Sequence, residues 1–270
     1  MTVPQSLLTS APPAWKVLND GGDEPLVLAV DFAVSGRPES TFKELACLLD
    51  PCTPLWETRQ PEPAQARTFG GEDFAAYWAE AVRGTGRPVR AVLGYCVGAL
   101  YAGRLAQLLA AEQDAAPAVV LFDPEPPSPA GMTADFRAAV ARLSSVLSPE
   151  ESALAAQAAE EAARDSGSIA ALGTTLTGIF SDIAGAAFTR AGLDAELADE
   201  LSTAYQAFVS YIAAAGDFDP VASWAGATAL TTSRTDPHAR HAGQRRFVEA
   251  DHDDILRSQA TADLLTDLLG

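Results

Sequence analysis

One eight-residue segment, VLGYCVGA (residues 92–99), constrains the fold of this 270-residue chain more than any other. An apolar run of strand length leads into Gly94-Tyr95-Cys96-Val97-Gly98, and a helical pattern follows. The two glycines permit a sharp turn in which strand and helix approach closely, so the side chain between them projects from a bent backbone. The pattern predicts a strand–turn–helix unit that presents the Cys96 thiol as a nucleophile.

Strand-like and helical segments alternate on both sides of this turn, which is typical of a mostly parallel sheet flanked by helices. Residues 1–24, rich in Pro, Gly and Asp, are predicted to be an irregular arm, and residues 254–269 a closing helix. The predicted strands cover residues 25–32, 54–58, 90–96, 118–123, 227–233 and 245–250.

The alternation breaks between about residues 131 and 215, where the chain is Ala-rich and helical. Ser148-Pro149 begins one of these helices, with serine at the N-cap and proline at the first helical position. We therefore predict an α/β core formed by residues 1–130 and 216–270, interrupted by a helical lid insertion over residues 131–215. The alternative is a separate helical domain.

These features together resemble the α/β-hydrolase fold, in which the nucleophile stands on such an elbow. That resemblance implies an oxyanion hole made of backbone N–H groups. One donor is expected from Val97, directly after the nucleophile. The other is expected from Ala33 or Val34, in the loop after the first predicted strand.

A thiol nucleophile needs a base, and the base needs an acid that orients it. Of the three histidines, His252 follows the last predicted strand, where the fold implies the base, whereas His238 and His241 lie in a polar loop. Two acids are candidates, because both Asp123 and Asp236 follow predicted strands. Position alone leaves that choice open.

Composition excludes several classes of partner. A formal net charge of −18 argues against nucleic acid and anionic membranes. We expect no signal peptide and no membrane-spanning segment. Cys47, expected in the core, Cys52 and Cys96 form no disulfide framework and suit a reducing cytoplasm. We expect no metal and no bound cofactor.

Most of the chain resembles the thioesterase domains of nonribosomal peptide and polyketide synthases. These domains release the finished products, many of which are antibiotics. The resemblance rests on Gly94-Tyr95-Cys96-Val97-Gly98 against the family's G-Y-S-x-G, on Leu121-Phe122-Asp123, on residues 224–230 and on Asp251-His252. It implies Asp123 as the acid, and a substrate carried as a thioester on the phosphopantetheine of an acyl or peptidyl carrier protein. A possible initiator Met1 leads us to expect a free-standing protein.

Cys96 in place of the family's serine has a chemical consequence. Loading exchanges one thioester for another, and the acyl-enzyme stays reactive toward amines and alcohols. We therefore expect cyclisation or transfer to a small-molecule acceptor in preference to hydrolysis. The alternatives are a hydrolytic editing thioesterase, a lactone or ester hydrolase similar to dienelactone hydrolase (G-Y-C-x-G-G), and a non-catalytic binding protein.

A basic cluster stands out in this acidic chain. It consists of Arg234, Arg240, Arg245 and Arg246, near the predicted last strand. Arginines bind carboxylates and phosphates in bidentate geometry. The cluster is a candidate docking surface for the carrier protein, and the alternative is a solvated loop.

Overall fold

The computed structural model describes residues 12–32, 38–192 and 194–270. The chain forms two compact units. The first comprises the described parts of Met1–Gln60, with Ala75–Glu125 and Pro220–Gly270. The second comprises Pro61–Phe74 and Pro126–Asp219. Its longer segment contains the predicted insertion of residues 131–215, and its action as a lid stays a prediction.

The first unit is built on a seven-stranded sheet. The strands are β1 (Trp15–Asn19), β2 (Leu26–Val30), β3 (Leu55–Thr58), β4 (Val89–Tyr95), β5 (Ala118–Phe122), β6 (Thr228–Thr231) and β7 (Gln244–Phe247). Their order in the sheet is β1-β3-β2-β4-β5-β6-β7. Every neighbouring pair is parallel except β1 and β3, which are antiparallel. The prediction of a mostly parallel sheet is therefore confirmed.

The continuous apolar runs mark strands that are covered on both faces. All five residues of β2 are buried, and β4 is buried at every position except Arg90. β4 lies between β2 and β5, with Gly94 opposite Val30 and Leu121. The elbow therefore starts from the middle of the sheet, where the backbone is most constrained.

Helices of the first unit begin at recognisable sequence signals. α1 (Phe42–Leu48) opens with a capping box, in which Glu44 accepts from the Thr41 backbone N–H and the Thr41 side chain accepts from the N–H of Glu44. α4 (Gly98–Ala110) is buried over most of its surface, and its first six residues are all buried. The helices are α1 (Phe42–Leu48), α3 (Gly71–Arg83, whose first four residues belong to the second unit), α4 (Gly98–Ala110), α9 (Pro220–Trp224) and α10 (Gln259–Leu269).

The second unit is helical throughout its regular structure. Ser148 and Pro149 begin one helix as predicted, again with a capping box, and Tyr205 stacks on Phe180 with ring centroids 4.3 Å apart. The helices are α2 (Pro63–Ala66), α5 (Pro129–Ala141), α6 (Pro149–Asp165), α7 (Ile169–Ala191) and α8 (Ala195–Ala215).

Two expectations from the sequence are wrong. The supposed N-terminal arm contains β1, because Trp15 is buried and pairs with Thr58 despite the polar residues around the strand. Cys47 is exposed, since α1 turns Phe42 and Leu45 toward the core instead. α7 is long and apolar enough to cross a membrane by length and composition, with a mean hydropathy of 1.3 in its best window. The absence of a membrane-spanning segment therefore stays a prediction.

Candidate active site

Cys96 stands at the elbow between β4 and α4. Its φ of 49° lies in the left-handed region, which costs a non-glycine residue about 1–2 kcal/mol. Backbone hydrogen bonds hold it there: the Cys96 N–H donates to the Phe122 carbonyl at 3.0 Å, and its carbonyl accepts from Ala99 at 3.1 Å. The thiol side chain is half-buried, so it remains accessible to a substrate.

Gly94 explains why the elbow needs its first glycine. A Cβ at this position would lie 2.6 Å from the Ala99 Cα and 2.7 Å from the Ala102 Cβ. Both atoms belong to α4 and have no freedom to retreat. Any side chain at Gly94 would therefore push α4 off the sheet and displace Cys96.

The candidate base and acid are in direct contact. The His252 Nδ1 lies 2.9 Å from the Asp123 Oδ2, although the two residues are 129 positions apart in sequence. A carboxylate only accepts hydrogen bonds, so Nδ1 carries the proton in this contact. In the neutral ring, Nε2 is then the nitrogen that can accept a proton from a nucleophile.

Asp123 is fixed by more than the histidine. It is 7% exposed, and its φ of 39° is a conformation that aspartate tolerates better than most residues. The Thr232 N–H donates to Oδ1 and the Thr232 hydroxyl donates to Oδ2, both at 2.8 Å. Three donors therefore surround this buried carboxylate, which keeps it in the position that orients His252.

Asp236 makes different contacts. Its Oδ1 accepts from the backbone N–H groups of His238 at 2.7 Å and of Ala239 at 3.2 Å. These hydrogen bonds form a local turn directly before the short 3₁₀ helix Ala239–His241. The structure thus brings His252 to Asp123 and leaves Asp236 to a local turn.

The turn that carries His252 is a 3₁₀ helix, His252–Arg257. Fully buried Ser40 ties it to the start of α1: the Ser40 N–H donates to the Asp253 carbonyl at 2.7 Å, and its hydroxyl accepts from the Leu256 N–H at 2.9 Å. Nothing in the sequence marked Ser40, because its partners lie more than 200 positions away.

Tyr95 is a second residue that the sequence did not single out. Its hydroxyl lies 3.1 Å from the His252 Nε2, and the two rings stack at 27° with centroids 5.7 Å apart. The tyrosine is 4% exposed. The only available signal was its place directly before Cys96 in the elbow.

Of the three expected oxyanion donors, the structure describes Val97. Val97 is the N-cap of α4, with helical φ and ψ, so its N–H belongs to the end of the helix where the dipole favours negative charge. Ala33 and Val34 lie outside the described residues. Within the described ranges, no three or more His, Cys, Asp or Glu side chains are grouped to hold a metal ion.

The electrostatics of the site act on the base. The hydrogen bond to Asp123 raises the pKa of His252 above its ordinary value of 6.5, and the opposing effect of burial is smaller. The negative charges of Asp123, Asp253 and Glu125 raise it further. The ring therefore stays protonated to a higher pH than a histidine in water does.

A pH profile follows from this shift. Deacylation of an acyl-Cys96 adduct needs neutral His252, so we expect its rate to fall as pH drops through an inflection above 6.5. The thiol is blocked in the adduct and contributes no titration of its own. In Asp123→Asn, which loses the largest cause of the shift, the inflection should move to lower pH. Single-turnover hydrolysis followed between pH 5 and 9 measures the inflection in the wild type and in Asp123→Asn. Equal inflections in the two proteins would contradict the assignment of Asp123 as the partner of His252.

The four arginines of the basic cluster do not form one patch. The Arg234 guanidinium lies 3.7 Å above the Phe247 ring, and both residues line an open cavity of about 410 Å³ with Arg245. Arg246 points to the opposite face of β7, because successive side chains of a strand alternate. Arg240 is exposed in the 3₁₀ helix Ala239–His241.

Comparison with known proteins identifies structures and no families. No protein-family model matches the chain, and no curated protein sequence matches it. Among solved structures, a four-domain nonribosomal peptide synthetase bound to AMP and glycine superposes with a TM-score of 0.59 at 15% identity. The match covers 94% of this chain and 20% of the synthetase, so this chain spans about a fifth of that protein's length.

Two single domains match over nearly their whole length. The NocB thioesterase domain, in covalent complex with a fluorophosphonate nocardicin G analogue, has a TM-score of 0.52 at 17% identity and covers 95% of this chain and 99% of that domain. The Vlm2 thioesterase domain with a bound dodecadepsipeptide has a TM-score of 0.51 at 19% identity, covering 95% and 98%. With the parallel sheet and its elbow, these likenesses show that the chain has the α/β-hydrolase fold.

Proposed function

We propose that this chain is a thioesterase-like acyl-transfer enzyme of natural-product biosynthesis. It takes an acyl chain from the phosphopantetheine thioester of a carrier protein onto Cys96, and passes it to an alcohol, amine or other acceptor. Cyclisation or transfer is favoured over hydrolysis. The thioesterase domains that share its fold support the carrier-linked substrate.

One observation carries the proposal: a His252–Asp123 pair at 2.9 Å on the sheet edge where the elbow presents Cys96. β4 and β5 are parallel neighbours, so their carboxyl ends, which lead into Cys96 and Asp123, lie at one edge. Cys96 holds a strained backbone conformation, and Asp123 orients His252. A protein that only binds a ligand needs neither feature. The arrangement supports covalent catalysis.

The steps follow from the residues. Neutral His252 accepts the Cys96 proton as sulfur attacks the carrier thioester carbonyl, and the pantetheine thiol leaves with that proton. Asp123 stabilises the imidazolium that forms in between. The Val97 N–H stabilises the negative charge on the carbonyl oxygen. An acceptor then attacks the acyl-Cys96 thioester, and the Cys96 thiol is released.

Intact mass spectrometry tests the proposal directly. Acyl- and peptidyl-carrier proteins of defined load are mixed with the enzyme, and the mass gain of the enzyme is localised to a peptide. We expect one acyl group on Cys96, and an amide or ester product when an amine or alcohol is present. Acid as the sole product with every acceptor supports the hydrolytic alternatives, and no adduct with any thioester overturns the proposal.

Carrier docking is proposed on the cavity that Arg234, Arg245 and Phe247 line together with Thr231, Ser233 and Asp236. Stacking on Phe247 engages the face of the Arg234 guanidinium and leaves its N–H edge directed for a carboxylate or phosphate. The cavity begins at Thr231, the last residue of β6, next to the Thr232 that binds Asp123. A carrier bound there would lie close to the acid side of the site.

A charge-reversal series tests this surface. We expect Arg234→Glu with Arg245→Glu to raise the KM for a loaded carrier about tenfold or more at low salt, and high salt should weaken the effect. Turnover of a small pantetheine-mimic thioester should not change. Arg246→Glu, the same change on the opposite face of β7, is the matched control. Equal losses on both substrates, or equal effects of the control, would argue against docking there.

A further inference from the structure

The contact between Tyr95 and His252 bears on which acceptor the enzyme uses. With Nδ1 engaged by Asp123, Nε2 is the ring nitrogen that can take a proton from a nucleophile. The Tyr95 hydroxyl lies 3.1 Å from that same nitrogen. In the neutral ring, Nε2 carries one lone pair and accepts, so the phenol O–H donates to it.

The phenol is held in this position by its surroundings. Tyr95 is the last residue of β4, pairs with Phe122 of β5 and is buried. Its ring packs nearly parallel to the imidazole. The side chain therefore has little room to swing away, and any proton donor that uses Nε2 has to displace the phenol hydrogen bond.

Nucleophiles differ in how much they depend on that lone pair. Water is a weak nucleophile and needs a base within about 3 Å as it attacks the acyl carbonyl. A neutral amine attacks with its own lone pair, and its nitrogen becomes acidic only after the C–N bond has formed. Competition for Nε2 thus penalises water during attack and an amine hardly at all.

We propose that Tyr95 directs the acyl-Cys96 intermediate toward amine acceptors by restricting hydrolysis. This rests on the proposed acyl-enzyme function and adds the acceptor class. In aminolysis the C–N bond forms, the C–Sγ bond breaks, and thiolate leaves. The amine proton passes to Nε2, and the protonated ring donates a hydrogen bond to the Tyr95 oxygen. The ring then transfers this proton to the Cys96 thiolate. Hydrolysis forms a C–O bond with the same proton path, but needs Nε2 from the start.

Removal of the hydroxyl tests the inference. Cys96 is acylated with an N-acetylcysteamine thioester, excess thioester is removed, and the decay to acid and to the n-butylamide is measured with n-butylamine present. In Tyr95→Phe we expect hydrolysis to rise about threefold to tenfold, the factor that one hydrogen bond contributes. Amide formation should stay within about twofold, so the product ratio shifts toward acid.

Tyr101→Phe is the matched control, because it removes another buried tyrosine hydroxyl from the helix that follows the elbow. An unchanged acid-to-amide ratio in Tyr95→Phe, or a fall in hydrolysis, overturns the inference while the adduct itself still supports the proposed function. Failure to form any adduct on wild-type Cys96 counts against the proposed function instead.

A second replacement decides the matter if Tyr95→Phe does not fold. Monofluorotyrosine at position 95 keeps the ring and hydroxyl and makes the phenol a stronger donor. We expect slower hydrolysis than in the wild type at neutral pH and an unchanged rate of amide formation. Faster hydrolysis in this protein would overturn the inference.

Discussion

Replacement of Cys96 by alanine should abolish the acyl adduct and reduce turnover of a carrier-bound thioester by about 10⁴-fold or more. Covalent catalysis ends with the nucleophile, while His252 and the oxyanion donors leave only a small residual rate. Intact mass spectrometry and product assays measure the two effects separately. The fold should survive, since alanine fits a half-buried position; circular dichroism and the melting temperature check this.

Cys96→Ser separates the identity of the nucleophile from its presence. Serine has a much higher pKa than cysteine, so loading relies more heavily on His252, and the adduct becomes an oxoester. We expect slower loading, a longer-lived adduct and loss of most amide product. If serine and cysteine enzymes give the same acid and no transfer product with any acceptor, transfer is excluded as the role of the thiol.

The sheet was largely readable from the sequence. Strands buried on both faces appear as continuous apolar runs, so β2, β4 and β5 were predicted close to their observed bounds. β1 was missed because it is an edge strand with exposed Val17, and only its pairing with β3 makes it a strand. That information is tertiary, and a local pattern does not contain it.

The residues of the candidate site also differ in whether a local sequence pattern predicts them. Cys96 and His252 were predicted from a turn motif and a position after a strand, both local in sequence. Thr232, Ser40 and Tyr95 gain their importance from contacts across 109, 216 and 157 positions, respectively. Such side chains carry no signal of their own. The choice between Asp123 and Asp236 needed the family resemblance, since both stand at strand ends, and the contacts now favour Asp123.

Asp123→Asn should lower turnover by about 10³- to 10⁴-fold with little change in KM. Asparagine keeps an oxygen for Thr232, yet it presents a neutral amide to Nδ1, which favours the wrong tautomer and no longer stabilises the imidazolium. The fold should hold, since the shape and the backbone hydrogen bond are kept. Asp236→Asn is the matched control. Because Asp236 lines the proposed docking cavity, the comparison uses a small pantetheine-mimic thioester, whose turnover it should change by less than about twofold.

Comparison of Asp123→Asn with Asp236→Asn identifies which aspartate orients His252. Asp236 accepts hydrogen bonds from the backbone N–H groups of His238 and Ala239, so its loss loosens a 3₁₀ turn and leaves the base unaffected. A large loss in Asp236→Asn with a small one in Asp123→Asn would reverse the assignment. Burst experiments refine the result: because Asp123 acts through His252, its asparagine variant should slow loading and deacylation alike. A loss confined to one half-reaction would instead indicate a substrate-binding role for that carboxylate.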